Sequence, residues 1–294
     1  MLLTISIITR NRREDLEVTL KSILKQNYNK NNYEIIIVNN DSNYNVKKQV
    51  DQILKGKKVN YQIYDFEENQ GPVGGRNFSF LKANGKYVLF FDDDIIIKDN
   101  NFLNKIINIM ENNKDIALLQ TKIFNIKDNE YQKPVYKEDN YPFNPSFNYI
   151  GCNHIVRKTV FKEGETLYFD KLFYRNEETY LSLKIYDKGY KIIYYPETEI
   201  IHNPSSKRMA QSKIDIYNFV NGFMIKKLMY PWYLMPLIYI IITLRMMKNF
   251  KFDRNKYQQF IKLSKHRNMG NHKIKNGTVL KLIKIFGIIN VINW

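Results

Sequence analysis

Three consecutive carboxylates follow an apolar run in the segment GKYVLFFDDDIII, at Asp92, Asp93 and Asp94. Adjacent like charges repel one another and resist burial. Such a cluster is tolerated in a solvated turn, or where a cation lies among the oxygens and reverses the local electrostatics. A hard cation such as Mg²⁺ or Mn²⁺ prefers oxygen ligands of this kind. The three residues alone leave both alternatives open.

A second pair of carboxylates, Glu177 and Glu178, stands at the start of an amphipathic segment. Acidic side chains are favourable at a helix N-terminus, and that explanation suffices for the pair in isolation. An accessible, ionised carboxylate can also act as a general base. Because adjacent helical residues cannot face the same way, only one of the two can point at a given hydroxyl.

A glycine-rich stretch, NQGPVGGRN, leads into a segment where we expect a helix to begin near Arg76. Gly71 and Gly75 allow the backbone to approach a phosphate or a sugar closely, and a helix N-terminus favours anions. A plain turn explains the glycines equally well.

Polar residues also follow several apolar runs. They are Thr9, Arg10 and Asn11 in TISIITRNR, Asn39 and Asn40 in YEIIIVNN, Cys152, Asn153 and His154 in GCNHIVR, and His202 in EIIHN. An asparagine side chain can both accept and donate a hydrogen bond. A lone histidine is more often structural, and a lone cysteine is more often a small core residue.

These residues are positioned by strands that alternate with helical patterns through residues 1–120. Apolar runs predict strands at 4–9, within YEIIIVNN, at 59–64 and at 87–91, and 3.6-residue periodicity predicts helices between them. The order is therefore β-α-β-α-β-α-β. Continuously apolar strands separated by helices predict a parallel sheet covered on both faces. Ligands of such sheets bind beyond the carboxyl ends of the strands.

The pattern changes after residue 120. Residues 125–150 are rich in proline and polar residues and are interpreted as an irregular crossing. A helix that ends at Gly189 is predicted next, followed by a strand at 191–195 and a second short strand ending at His202. We therefore expect a catalytic domain at 1–204, divided into halves at 1–120 and 121–204.

The chain is long and apolar enough for a sizeable core, with 294 residues of which 44% are hydrophobic. The single cysteine excludes an internal disulfide and is typical of a reducing cytosol. The N-terminal segment lacks the features of a signal peptide, so we expect the mature protein to begin at Met1.

The charge is concentrated in the C-terminal region, which we predict to be a basic helical segment. The net charge is +17, and residues 205–294 contain 17 basic and only 2 acidic residues. This distribution favours an anionic membrane surface over nucleic acid, for which no binding signature is present. The uncharged span at 228–244 is short for a membrane-spanning helix and contains Pro231 and Pro236, so we expect it to lie in the membrane interface. Packing onto the catalytic body, or into a homo-oligomer, is the alternative.

Six motifs together carry a resemblance to a known family. TISIITRNR, IIIVNNDS, NQGPVGGRN, LFFDDD, RNEETYLSLKIYDKGYKIIYYP and IIH, in this order and at these intervals, resemble the inverting family 2 glycosyltransferases of bacterial cell-surface polysaccharide synthesis. The similarity covers roughly the first 205 residues. It implies an α/β GT-A fold, with a Rossmann-like, mostly parallel sheet flanked by helices, followed here by a C-terminal helical membrane-associating extension.

The resemblance assigns a metal and a base. Asp92 and Asp94 match a D-x-D element that holds Mn²⁺ or Mg²⁺ on the donor diphosphate, and a family histidine that reaches the metal or the diphosphate matches His202. The family typically has Glu-Asp where Glu177 and Glu178 stand, and its second acid takes the proton from the acceptor hydroxyl. That position is Glu178, although the added methylene leaves Glu177 as the alternative.

The resemblance also assigns the donor site. The residues that it places on the nucleotide-sugar are Thr9, Arg10, Asn11, Asn39, Asn40, Gly71, Gly75, Arg76, Asp92 and Asp93, and those that it places in the sugar and acceptor pocket are Cys152, Asn153 and His154. Many relatives carry aspartates where Asn39 and Asn40 stand. The resemblance therefore does not decide whether the donor nucleotide is UDP or dTDP.

The function predicted from the sequence is metal-dependent, inverting transfer of a sugar from a nucleotide-sugar to a hydroxyl of a cell-surface glycan or lipid-linked acceptor. The predicted location is the inner face of the cytoplasmic membrane. The alternative function is a non-catalytic membrane or nucleic-acid binding protein on the same scaffold.

Overall fold

The computed structural model describes residues 1–138, 143–204, 211–250, 253–265 and 272–292. Ten strands lie in these ranges: β1 Leu3–Thr9, β2 Tyr33–Asn40, β3 Asn60–Phe66, β4 Tyr87–Asp92, β5 Ile95–Ile96, β6 Ile116–Asn125, β7 Glu130–Gln132, β8 Asn144–Pro145, β9 Asn153–Arg157 and β10 Lys191–His202. The same ranges hold ten α-helices: α1 Arg13–Leu24, α2 Val46–Leu54, α3 Gly71–Lys82, α4 Phe102–Asn112, α5 Glu177–Asp187, α6 Gln211–Met229, α7 Met235–Phe250, α8 Arg254–Lys265, α9 Asn276–Phe286 and α10 Ile288–Ile292.

The strands form one sheet in the order β3-β2-β1-β4-β9-β6-β10-β5. The first four run parallel in the predicted β-α-β-α-β-α-β order, with Thr9 of β1 opposite Asn39 of β2. β9 then joins β4 antiparallel, while β6 and β10 form another parallel pair. The α/β fold with a mostly parallel, Rossmann-like half is therefore confirmed.

Both faces of the sheet are covered, as the continuously apolar strands predict. Side chains of a strand alternate between faces, and Ile35 and Ile37 of β2 accordingly pack with α1, α2 and α4, while Ile36 and Val38 pack with α3. Every residue of β2 is buried. The carboxyl ends of β1, β2 and β4 are thereby held together by two hydrophobic layers.

α3 begins at Gly71 rather than near Arg76, and the prediction was wrong here. Pro72 lies in the first turn, where its fixed φ suits a helix and its missing N–H costs nothing. Gly71 has a φ of +69°, and a Cβ there would lie 2.2 Å from the carbonyl oxygen of Phe173. This glycine is required both by its left-handed backbone and by the close approach of a neighbouring segment.

β10 is one strand, where two were predicted. The register of its pairing with β6 shifts between Tyr195 and Glu199, a region that contains Pro196. Proline has no N–H to donate to the neighbouring strand, and the irregularity lets β10 continue past it. At its end, His202 lies opposite Ile95 of β5 in an antiparallel pair. This register brings the histidine to the turn that follows β4.

The C-terminal helices pack onto the rest of the protein. Ile225 and Leu228 of α6 belong to the same hydrophobic cluster as Leu181 and Ile185 of α5. Asp187 at the end of α5 accepts hydrogen bonds from the N–H of Lys275 at 2.7 Å and from the hydroxyl of Thr278 at 2.8 Å. Among the described helices, none is both long enough and apolar enough to cross a membrane.

Candidate active site

The polar strand ends meet at one edge of the sheet, as expected. Asp92 ends β4 beside Ile8 of β1, and Thr9 faces Asn39. The turn after β4 is fixed by the hydroxyl of Thr19, which accepts a hydrogen bond from the N–H of Ile95 at 3.0 Å and lies 2.9 Å from the carbonyl oxygen of Asp93.

Asp92, Asp94 and His202 offer ligand atoms that all lie within 4.8 Å of one another. Nε2 of His202 lies 3.3 Å from Oδ1 of Asp94, so the imidazole and this buried carboxylate form a close pair. Burial opposes ionisation of Asp94, but His202 and then Arg12 outweigh it and lower its pKa. Two carboxylates and an imidazole whose ligand atoms lie this close together are the oxygen and nitrogen ligands that suit a divalent cation.

Arg12 is a site residue that the sequence analysis did not identify. Its Nη1 lies 3.0 Å from Oδ1 of Asp93 and also contacts Oδ2 of Asp94. Burial raises the pKa of Asp93 to about 7 in spite of the Arg12 charge. The Arg12 guanidinium thus offsets part of the charge of Asp93 and Asp94, and the raised pKa of Asp93 reduces the negative charge of the cluster further. Arg12 stands in the motif TISIITRNR, so its position after β1 was the available signal.

Arg76 is fully enclosed and connects the aspartate cluster to the glutamate pair. Its Nη2 lies 2.8 Å from Oδ1 of Asp92 and donates to the carbonyl oxygen of Gly151 at 3.1 Å, and its Nη1 lies 3.2 Å from Oε1 of Glu177. Burial acts to lower the Arg76 pKa, but the surrounding carboxylates, Asp92 foremost, raise it above its usual range. The guanidinium is therefore a permanent charge whose partners are protein groups.

The two glutamates differ in accessibility. Glu177 is buried against Arg76, whereas Glu178 is partly exposed. Burial, and then the charge of Glu177, raise the pKa of Glu178 to about 8. A Cβ on Gly151 would lie 2.8 Å from Oε1 of Glu178, so this glycine leaves room for the carboxylate.

Two residues before the glutamates have a left-handed backbone. Arg175 has a φ of 73° and Asn176 a φ of 65°, a conformation uncommon outside glycine that costs free energy. Asn221 holds this turn by donating from Nδ2 to the carbonyl oxygens of Tyr174 at 2.7 Å and Arg175 at 3.1 Å. α6 therefore fixes the direction in which α5 presents its first turn.

The loops after β1 and β2 are tied together. Asn11 accepts a hydrogen bond from the N–H of Asn43 at 2.7 Å, and its own N–H donates to Oγ of Ser42 at 3.0 Å. Arg10 is exposed and pairs with Asp41 at 3.0 Å. An open cleft of about 580 Å³ lies beside these loops, within the range of small-molecule sites.

Asp65, at the end of β3, was missed by the sequence analysis although it follows the strand-end rule. Its Oδ1 accepts a hydrogen bond from Nδ2 of Asn39 at 2.7 Å, and it lines the cleft. Oδ1 of Asn39 in turn accepts from the N–H of Ser42 at 3.0 Å. A carboxylate is thus present beside Asn39 at the edge of the sheet.

Asn40 and Gly75 make contacts inside the protein. Oδ1 of Asn40 accepts from the N–H of Gln70 at 2.9 Å, and its Nδ2 donates to the carbonyl oxygen of Gly71 at 3.2 Å. A Cβ on Gly75 would lie 2.7 Å from Cγ1 of Ile8, so this glycine permits close packing of α3 on β1. Both residues hold the start of α3 against the sheet.

Cys152, Asn153 and His154 are buried beneath the site. The carbonyl oxygen of Cys152 accepts from the N–H of Asp92 at 3.1 Å. His154 donates from Nδ1 to the carbonyl oxygen of Gly151 at 3.1 Å, and its Nε2 lies 3.0 Å from the hydroxyl of Tyr168. Burial lowers the pKa of His154, which is therefore neutral. The backbone of Cys152 thus supports Asp92, and the side chain of His154 supports Gly151.

Comparison with known proteins gives consistent matches. The sequence profile of glycosyl transferase family 2 matches residues 4–164, more than half of the chain. An uncharacterized protein of Haemophilus influenzae is 27% identical over 174 residues, which are 55% of this chain and 91% of that protein. Poly(ribitol-phosphate) beta-N-acetylglucosaminyltransferase TarS of Staphylococcus aureus is 24% identical over 191 residues, 63% of this chain and 32% of TarS.

Two solved structures share the fold. A crystal structure of S. aureus TarS 1–349 in complex with UDP-GlcNAc has a TM-score of 0.59 at 18% identity, covering 76% of this chain and 65% of that one. The mannosyltransferase PcManGT of Pyrobaculum calidifontis, in complex with GDP-Man and Mn²⁺, has a TM-score of 0.60 at 12% identity, covering 76% and 62%. The chain thus spans about a third of the length of TarS and about two thirds of these crystallised chains.

Proposed function

Because the chain belongs to glycosyl transferase family 2, we propose that it transfers a sugar from a nucleotide-sugar to a hydroxyl of a cell-surface glycan or lipid-linked acceptor. One observation carries the proposal: Arg76 links a candidate cation site at Asp92 to the first turn of α5, where Glu178 is accessible. Leaving-group stabilisation and proton acceptance are the two tasks of a direct displacement at an anomeric carbon.

The residues that would hold Mn²⁺ or Mg²⁺ are Asp92, Asp94 and His202. The bound ion would supply Lewis-acid neutralisation of the diphosphate leaving group. Arg12 neutralises Asp93 and contacts Asp94, so the protein itself lowers the negative charge that faces the donor phosphates. PcManGT, whose structure contains Mn²⁺, supports this assignment.

Glu178 is the proposed general base. In an inverting transfer the acceptor oxygen forms a bond to the anomeric carbon, the bond from that carbon to the diphosphate breaks, and the hydroxyl proton passes to a carboxylate. Glu178 is partly exposed, and its raised pKa makes the ionised carboxylate a stronger proton acceptor than an ordinary glutamate. Glu177 is engaged by Arg76 and is proposed to position that guanidinium.

The donor base is proposed to bind between the loops after β1, β2 and β3. Thr9, Arg10 and Asn11 are proposed to contact the base from one side and Asn39 and Asp65 from the other, because Asn11 is tied to the loop after β2 and Asp65, the partner of Asn39, lines the cleft. Asp65 offers a carboxylate that can accept from the N3–H of uracil or thymine, which favours UDP- or dTDP-sugars. TarS, crystallised with UDP-GlcNAc, supports a UDP-linked donor.

The membrane contact is proposed to use one face of α7. Ile238, Ile242 and Met246 face the core, whereas Leu237, Ile240 and Leu244 form an exposed apolar stripe. Trp232, just before α7, is 80% exposed. Apolar and aromatic side chains beside many basic residues suit the interface of an anionic membrane.

We assign donor binding to residues 1–120, the acceptor side to residues 121–204 and contact with the cytoplasmic membrane to residues 205–294.

The proposal is tested by nucleotide-sugar binding and turnover. Full-length protein is heated with UDP-, dTDP- and GDP-sugars in the presence of Mn²⁺, because a ligand at 100 times its Kd stabilises by about 2.7 kcal/mol. We expect a rise in Tm with a uridine or thymidine donor, and release of the nucleoside diphosphate that EDTA abolishes. A chain that neither binds nor cleaves any of these donors would instead fit a non-catalytic binding protein.

A further inference from the structure

A small cavity lies between α6 and α7, next to the residue that precedes α5. Its volume is about 140 Å³, and its lining includes Asn176, Asn218, Phe219, Lys226 and Arg245. It is separate from the aspartate cluster and from the cleft beside β3. Among the described residues that line it, none is acidic.

Two cationic groups line this cavity from different helices. Lys226 of α6 is only 2% exposed, and Arg245 projects from α7. A buried lysine loses hydration, and a second positive charge opposes its ionisation. Burial, and then the Arg245 charge, accordingly lower the pKa of Lys226 to about 7. An anion in the cavity would favour the charged forms of both groups.

The size of the cavity limits what it can hold. The cavity is large enough to hold several water molecules. Sites for drug-sized ligands have about 300–1,000 Å³. A phosphate group fits this volume, whereas a nucleotide-sugar does not. Lysine and arginine together are common partners of phosphate oxygens, because both donate charged hydrogen bonds.

Neighbouring contacts hold the cavity wall in place. The Arg245 guanidinium lies 5.9 Å from the ring centre of Phe219, close enough for a cation–π interaction. Nδ2 of Asn176 donates to the carbonyl oxygen of Asn218 at 3.1 Å. A Cβ on Gly222 would come within 3.9 Å of the Asn176 amide, so α6 passes close to the start of α5.

The location relates the cavity to the reaction. Asn176 lines it and lies two residues before Glu178, in the left-handed turn that begins α5. We propose that Lys226 and Arg245 bind a phosphate group of the acceptor and thereby place a neighbouring hydroxyl near Glu178. This inference rests on the proposed function, and it assigns the enzyme an acceptor that carries phosphate.

The first experiment measures phosphate binding without any turnover. The full chain is titrated with sn-glycerol 3-phosphate by calorimetry, at constant ionic strength set with NaCl. Arg245→Met is the principal variant, because Arg245 is exposed and its replacement leaves the core intact. Lys226→Met removes the buried partner, and Lys248→Met is the matched control, since it removes a charge from the same helix outside the cavity lining.

We expect the wild type and Lys248→Met to bind the probe equally. Arg245→Met should weaken binding by about tenfold or more, because a charged hydrogen bond to the phosphate is lost. The Tm shift caused by the nucleotide-sugar should persist in Arg245→Met. Absence of binding to the wild type, or equal binding by Arg245→Met, would overturn the proposal. Donor turnover is not measured, so failure here is distinct from failure of the proposed function.

A second arm identifies the source of the phosphate. Wild type and Arg245→Met are sedimented with vesicles that contain phosphatidylglycerol. A phosphate of the acceptor predicts that Arg245→Met still sediments nearly as the wild type does while it loses the glycerol phosphate response. The contrary result is that the wild type fails to bind soluble glycerol phosphate while Arg245→Met no longer sediments with the vesicles. That result would show that the cavity binds a lipid headgroup, which contradicts the acceptor assignment.

Discussion

Nη1 of Arg76 lies 3.2 Å from Oε1 of Glu177, and this buried pair leaves the adjacent Glu178 as the glutamate that solvent can reach. The two carboxylates therefore have different surroundings in spite of their identical chemistry. One is engaged by a guanidinium that also contacts Asp92, and the other lies against Gly151, which has no side chain to obstruct it.

Glu178→Gln is expected to retain donor affinity and to lower the transfer rate by a factor of about 10² or more, because the amide cannot accept the hydroxyl proton. Glu177→Gln should instead lower Tm, since it weakens the buried partner of Arg76. Single-turnover transfer and thermal unfolding of both variants are the measurements. If Glu177→Gln loses transfer while Glu178→Gln remains active, the two roles are exchanged.

Asp94→Asn is expected to abolish the Mn²⁺-dependent part of donor binding and nearly all transfer, because an amide is a poorer ligand for a hard cation than a carboxylate. Asp41→Asn is the matched control, since Asp41 is also beside an arginine but lies outside the cluster. Calorimetric titration of Mn²⁺ into each variant is the measurement. If Asp94→Asn binds Mn²⁺ as tightly as the wild type, Asp94 is not a ligand of the cation.

Asp65→Asn is expected to weaken binding of a UDP-sugar by about tenfold, which corresponds to the loss of one good hydrogen bond. The substitution changes an acceptor at the cleft and the partner of Asn39 at once. Glu67→Gln removes an exposed charge from the same loop and should leave affinity unchanged. Equal affinities of the two variants for the UDP-sugar would show that the uracil base does not bind at Asp65.

The pH dependence of kcat/KM should report the ionisation of the proposed general base, Glu178. A carboxyl with its pKa raised to about 8 is protonated at lower pH, so kcat/KM should rise with pH, reach half its maximum near pH 8 and level off about one pH unit higher. The residual activity of Glu178→Gln should lack this rise. The measurement is transfer from pH 5.5 to 9 at saturating Mn²⁺. A wild-type profile that is flat from pH 6 to 9 would contradict the assignment of Glu178.

The double variant Ile240→Ser, Leu244→Ser should reduce binding to vesicles of anionic lipid by at least about tenfold, because each buried methylene contributes about 0.8 kcal/mol. Both side chains are exposed, so Tm should change little. Wild-type binding should weaken in high salt without vanishing. A wild type that does not bind these vesicles would contradict the proposed membrane contact of α7.

Much of the donor half was predictable because strand ends of a parallel sheet meet at one edge. The sequence placed Asp92, Thr9 and Asn39 there, and the structure brings them together. The pairing of Arg12 with Asp93 was not predictable, since it depends on how two loops pack rather than on any period in the sequence.

The remaining differences have local causes. Pro72 begins α3 earlier than the glycines indicated, and the shifted register between Tyr195 and Glu199 allows one strand where two were expected. The left-handed turn at Arg175 and Asn176 has no glycine to signal it, because hydrogen bonds from α6 stabilise the strained backbone. Such features depend on tertiary contacts between distant segments.

The antiparallel register of β10 on β5 has a consequence for the order in which the cluster is assembled. Side chains alternate along a strand, so a slip by one residue would turn His202 to the opposite face and away from Asp94. A chain growing from its N-terminus has both carboxylates and Arg12 long before residue 202 is synthesised. On the ribosome, the guanidinium is therefore available as a counterion to the aspartates before the imidazole can complete the three-residue cluster.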